Sequence, residues 1–265
     1  MPSLEPILHH VAPFLLVLFR LSGLAVFAPM LGSPLIPARV RILIMFMFAV
    51  AVYPTLTIDP SRPIGLDLMS LAPAIAAETL IGLSIGLLAA MPMYAVQLGG
   101  QVIGQQIGLG LAGIYNPALD TEADVVGQLL LYIAMTIFAS IGGLELMFVA
   151  LMDTFVHVPP GAAMGVAPPT DLLLGVVASG FDIALRVSAP VLCIIMLETI
   201  ATGFLTKTLP QMNLMSLGFA VKVVLAILVL IWSMGAIGEA IGEDVMETCR
   251  LILEWARGIT LVPTT

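Results

Sequence analysis

The stretch "GQVIGQQIGLGLAGIYNPALDTEAD", residues 100–124, decides how the rest of this chain is read. It holds more glycine and glutamine than an ordinary membrane span, yet until its last residues it is too apolar for a solvated loop. Gly100, Gly104 and Gly108 recur every four residues, so on a helix they form one smooth groove that lets a neighbouring backbone come close. Gln97, Gln101 and Gln105 recur at the same spacing on an adjacent face. Glutamines facing hydrocarbon would strand their amides, so this stripe must face protein or water: a helix–helix seam or the lining of a passage. After Gly108 the helix should fail, because Gly110 and Gly113 loosen it and Asn116-Pro117 is a turn signal. Asp120, Glu122 and Asp124 then demand water. Irregular backbone at membrane depth survives only inside protein or along a cavity. The apolar loop residues Leu109, Leu111, Ile114 and Tyr115 therefore suit either a movable stopper or a plain re-entrant turn.

Working outward, the composition supplies the membrane. Of 265 residues, 60% are hydrophobic and 10% charged, against about a quarter charged in a soluble domain. Charge this scarce cannot coat a globule, so the surface meets lipid or other apolar protein. A net charge of −8 argues against nucleic acid and against anionic head groups. Cys193 and Cys249 lie far apart in no metal or redox spacing, and His9, His10 and His157 form no metal motif. No cofactor fingerprint is visible. The serine in "RLSGLAV" has no histidine in a neighbouring span to activate it, which excludes intramembrane proteolysis and leaves no catalytic group. The "MPSLEPILHH" start lacks the basic region of a cleavable signal.

A hydrocarbon core of about 30 Å needs roughly 20 helical residues. Six segments approach or exceed that length: 11–31, 42–58, 68–96, 125–152, 172–205 and 214–238. Pro73 and Pro92 are possible kinks in the third, and Pro190 is the expected break in the fifth. Short, proline-marked links such as "GSPLIPARVR" (32–41) and "HVPPGAAMGVAPPT" (157–170) make antiparallel neighbours. The expected fold is an all-α membrane bundle. Residues 1–238 form one hydrophobic helical domain with a glycine-rich loop at about 104–124, and 239–265 form an amphipathic helix and tail. In that tail Glu243, Glu247, Arg250, Glu254 and Arg257 share one face, and Ile241, Val245, Ile252 and Ala256 share another. It should dock on a partner or lie at the lipid interface. Arg39, Arg41 and Lys207 against Arg62, Arg250 and Arg257 is a tie that fixes no orientation.

Charges inside the segments are costly in lipid and mark candidate sites: Arg20, Glu78, Glu145, Asp182, Arg186, Glu198 and Lys222. Asp182 and Arg186, four residues apart, should neutralise each other. Arg20 has two candidate partners, Glu78 and Glu198. Met212 and Met215, among sixteen methionines, flank a hairpin and could form an adaptable seal or simply fill space.

Four motifs together resemble the FliR family, export-gate subunits of the bacterial flagellar type III secretion system, called SctT in injectisomes. They are "RLSGLAVFAPMLGSPLIPARVRI" (20–42), "AVQLGGQVIGQQIGLGLAGIYNP" (95–117), "DTFVHVPPG" (153–161) and "APVLCIIMLETIATGFLTKTLPQMNLMSLGFAVKV" (189–223). Ile107 stands where the family commonly has Met and Asn116 where it has Asp, and Leu111 replaces an aromatic found in some members. The resemblance implies a non-enzymatic subunit without cofactors, assembling with FliP-like and FliQ-like partners into a conical channel, with a FlhB-like protein at its base. It implies a place in the bacterial inner membrane at the flagellar basal body, and passage of unfolded flagellar proteins. It further implies that the loop after the glycine-rich helix, Leu109 to Pro117, belongs to the plug, and that some helices sit displaced from the bilayer plane. The rival reading is a secondary transporter of a small solute that uses Arg20, Glu78 and Glu198.

Overall fold

The computed structural model describes residues 5–33, 36–56, 68–109, 125–208 and 214–259. The described residues contain no strand and are built on α1 (Glu5–Phe27), α2 (Ala38–Val52), α3 (Leu68–Ile107), α4 (Val125–Ser140), α5 (Gly143–His157), α6 (Thr170–Thr208) and α7 (Leu214–Gly258). Among the described residues five helices are long and apolar enough to cross a membrane, and α4 with α5 make a sixth if the pair is one broken span.

Three boundaries differ from the sequence reading, each for a physical reason. Pro190 does not interrupt α6, which runs unbroken to Thr208. A proline in a helix removes one hydrogen bond, to the carbonyl four residues earlier. Here the buried stripe Ile183, Val187, Val191 and Ile195 runs past the proline on both sides, and its packing holds the helix together. The 125–152 segment, by contrast, is two helices. Gly142 stands between them with φ 75°, a left-handed conformation that glycine adopts freely and that ends a helix. Glu145 consequently lies in the first turn of α5, exposed, where a helix N-terminus favours an acid. Residues 239–258 are no separate element, since they continue α7 without a break. Their apolar face is covered by the chain itself: Ile241, Val245, Ile252 and Ala256 are all buried.

The chain divides into two compact units: Met1–Met91 with Gly142–Val176 and Met246–Thr265, and Pro92–Ile141 with Val177–Val245. In the first unit, α1 and α3 pack backbone to backbone. A Cβ at Gly82 would overlap the Arg20 carbonyl oxygen, and one at Gly86 would lie 2.5 Å from the Leu24 oxygen. Gly82 and Gly86 thus form a G-x-x-x-G groove that seats α1. Ala12 and Leu16 of α1 meet Leu71 and Ala74 of α3 farther along. On α2 only Met45 and Ala49 are buried, although Phe46 packs edge-on to Phe14 and Phe48 stacks on Phe148 at 4.8 Å.

In the second unit small residues again allow close approach. Gly100 lies against the Gly127 backbone of α4, Gly99 against Ala184 of α6, and Gly180 of α6 against Ala95. Leu130, Ala134 and Phe138 bury one stripe of α4. Ser179 of α6 donates a short hydrogen bond to Asp244 of α7.

Candidate functional site

Two regions collect the polar residues singled out in the sequence, one in each unit. In the first, Arg20 of α1 is fully buried, as is Glu78 of α3. The Arg20 Nε donates to Glu78 Oε2 at 2.5 Å, which settles its partner as Glu78 rather than Glu198. Its Nη1 donates to Thr154 Oγ1 at 3.2 Å and its Nη2 to the Val158 carbonyl at 3.1 Å. The guanidinium also sits 4.1 Å from the centre of the Phe155 ring. Glu78 uses its second oxygen to accept the Gly161 N–H at 2.8 Å. Gly161 holds φ 94°, so glycine is what lets that turn aim its N–H inward. Val158 follows the last turn of α5, so its carbonyl lies at the negative end of that helix dipole, where a cation is favoured. One buried ion pair therefore ties α1, α3, α5 and the 158–161 turn together, with the donors and acceptors nearly all satisfied.

In the second unit the glycine–glutamine run lies on the last turns of α3. Gly100 and Gly104 are buried, while Gln101 and Gln105 are exposed and Gln97 is half-buried. The run thus presents a packed small-residue side and an open amide side. The helix ends where expected, and by an identifiable device. The Gly108 N–H donates to the Gln105 carbonyl at 3.0 Å and the Leu109 N–H to the Gly104 carbonyl at 3.1 Å, with Gly108 at φ 93°. This is the Schellman arrangement, which satisfies carbonyls a helix end would otherwise leave open. Gly110, Leu111, Gly113, Ile114, Tyr115, Asn116 and Pro117 lie outside the described residues, as does Met212. Met215 lies within α7.

The remaining charges form two pairs, one within α6 and one between α6 and α7. Asp182 and Arg186 are joined at 2.7 Å on the helix surface. Glu198 is nearly buried and accepts from Thr202 at 2.6 Å, with Lys222 of α7 at 4.0 Å. Gly218 leaves room for the Thr202 methyl, since a Cβ there would stand 3.0 Å from it. On the tail, Arg250 pairs with Glu247 and Glu254, and Arg257 reaches Asp153 at 2.9 Å. Among the described residues no three His, Cys, Asp or Glu side chains gather as a metal site requires.

Residues 11–248 match the bacterial export proteins, family 1. The chain belongs to that family. It is similar to the flagellar biosynthetic protein FliR of Bacillus subtilis (strain 168), 30% identical over 227 residues, 84% of this chain and 86% of that protein. It is also similar to the Yop proteins translocation protein T of Yersinia pestis, 27% identical over 221 residues covering 82% and 84% of the two chains. The secretion system apparatus protein SsaT of Salmonella typhimurium is 26% identical over 162 residues, 60% of this chain and 62% of that one. The resemblance to FliR read from the motifs therefore stands.

For this export protein, sequence reasoning missed Thr154, Val158 and Gly161 as partners of the buried pair. The signal was present in "DTFVHVPPG", where a polar helix end runs into a proline–glycine turn. It also missed the Gly82–Gly86 groove, legible as "GLSIG" four residues after Glu78.

Proposed function

We propose that this chain is a non-enzymatic subunit of the flagellar type III export gate in the bacterial inner membrane at the basal body. With FliP-like and FliQ-like neighbours, and a FlhB-like protein at the base, it builds a passage for unfolded flagellar proteins. The last turn of α3 and the segment that follows it, about 104–124, serve as its stopper, with Leu109 to Pro117 at the constriction. The observation that carries this reading is the end of α3. A membrane-length helix presents exposed Gln101 and Gln105 on one side and buried Gly100 and Gly104 on the other. It then stops in a left-handed Gly108, and only polypeptide or water can accept those amides.

The surface agrees with a life among neighbours. Just 11% of the Ala38–Thr55 window and 17% of the Gly218–Gly258 window are buried within the chain. Arg20 and Glu78, on which a small-solute transporter would depend, are enclosed and neutralise each other, so they offer a solute nothing. Apolar loop residues, with Met212 and Met215, would exclude ions at rest, and movement about Gly108 would open the way. The test is deletion of 110–117. The shortened chain should still co-purify with FliP-like and FliQ-like partners while the membrane becomes leaky to ions. An assembled deletion variant as ion-tight as the parent would remove the stopper.

A further inference from the structure

The linker from α5 to α6 runs along a groove within the first unit. A hollow of about 390 Å³ is lined by Val166 to Leu172, by Trp255, and by Gly258 and Ile259 at the end of α7. A second hollow of about 230 Å³ shares Val166 to Pro169 and Trp255 and continues to Leu80, Ile81 and Ser84 of α3. The linker backbone beside them is open at one place. Val166 donates to the Ala163 carbonyl, the Pro168 carbonyl accepts from Thr170, and the Pro169 carbonyl accepts from Leu173. Ala167, between these groups, has an N–H and a carbonyl that make no hydrogen bond among the described residues. Pro168 and Pro169 bring no N–H of their own. A free donor and acceptor on exposed backbone beside the half-buried Trp255 ring offer what an added extended segment pairs with.

We propose that residues 260–265 of the same chain, "TLVPTT", dock in this groove as a short extended strap, with Leu261 on the Trp255 ring and the backbone paired to Ala167. These six residues lie outside the described ones. The chain delivers them to the groove, since Gly258 and Ile259 already line it and Ile259 is buried. Six extended residues reach about 20 Å at most, enough to lie along an equal length of linker. Val262 precedes Pro263, which holds it to extended backbone, and valine and threonine suit a strand. Attachment through Ile259 makes the docking intramolecular, so this segment outcompetes the same segment of a second copy. A phospholipid fits worse. Its acyl chains would leave the Ala167 amide unpaired, and its phosphate would stand against Asp171, which lines the first hollow. Threonine hydroxyls instead have a proton to donate to that carboxylate. Docked there, the strap holds the linker that continues from the turn capping Glu78. It goes beyond the gate reading and does not depend on it.

The test uses the full chain, purified from cells that co-express the neighbouring export genes, and has two arms. In one, a photo-crosslinking phenylalanine replaces Leu261, and the attachment point is read by mass spectrometry on material of single-chain mass. In the other, amide exchange compares the parent with Leu261→Asp, which sets a carboxylate against the indole. Prolines carry no amide hydrogen, so exchange between Val166 and Pro169 reports Val166 and Ala167 alone. We expect crosslinks within the same chain, to the linker or to Trp255. We also expect exchange at Ala167 to be about three- to tenfold faster in Leu261→Asp, the worth of one hydrogen bond. Crosslinks to lipid alone, to a second copy or to another protein overturn the strap. So does an Ala167 amide that exchanges equally fast in both chains.

Discussion

Replacing Arg20 by methionine keeps the length and apolar stem of the side chain and removes its charge. In the parent, Arg20 donates to Glu78, Thr154 and the Val158 carbonyl, and both members of the ion pair are fully buried. R20M leaves the Glu78 carboxylate with the Gly161 N–H alone. Breaking a buried pair from one side costs about 3–5 kcal/mol, because the surviving charge has lost both water and its partner. E78M should cost a similar amount, since it strands the guanidinium and the Gly161 N–H. The double variant R20M/E78M carries no charge into the interior. What remains is the orphaned Val158 carbonyl and Gly161 N–H, at about 1–3 kcal/mol each. The double variant should therefore lose about 2–6 kcal/mol rather than the roughly 6–10 of the summed singles, a coupling of about 4 kcal/mol. The assay is unfolding of the purified export protein in a single detergent, following fluorescence of the half-buried Trp255. Trp232, 84% exposed, contributes a nearly constant background. An R20M chain within about 1 kcal/mol of the parent, inside the range of ordinary surface substitutions, would refute the idea that this pair ties the helices together. So would single losses that add in the double variant.

Three further outcomes follow from the same geometry. Gly82→Ala places a methyl inside the radius of the Arg20 carbonyl oxygen and 2.7 Å from the Leu24 nitrogen. Neither backbone can give way as a side chain would, so the loss should be at least about 1–3 kcal/mol in the same unfolding assay. Gly108→Ala forces a left-handed alanine and should cost about 1–2 kcal/mol in local helix-end stability, read as faster amide exchange at Gly108 and Leu109 with little change elsewhere. Arg257→Ala removes a 2.9 Å pair with Asp153 whose cation is 64% exposed. It should change stability by less than about 1 kcal/mol in that assay, as exposed pairs do.

Much of this fold is legible from local pattern because local physics writes it. The apolar segments are set by bilayer length, and the end of α3 at Gly108 is set by glycine's freedom at positive φ. The buried face of the tail, Ile241, Val245, Ile252 and Ala256, follows from helical period alone. What the pattern omits is the identity of the cover, and this chain supplies that cover itself. Pro190 shows the same limit from the other side. The proline rule describes one lost hydrogen bond, whereas α6 continues through it along a buried stripe that runs on both before and after the proline.

The charged residues carry the argument furthest. In the sequence, Arg20, Glu78, Asp182 and Arg186 look alike, each an ionisable group set among apolar neighbours. Tertiary packing divides them. The first pair is enclosed, shares its remaining hydrogen bonds with α5 and the following turn, and acts as a brace within one unit. The second pair is equally neutral but remains exposed along an apolar stripe. Neutralisation within a chain removes net charge without removing the need for hydrogen bonds. A sequence records that two charges stand four residues apart; whether they fasten this chain to itself or to another depends on which helices cover them.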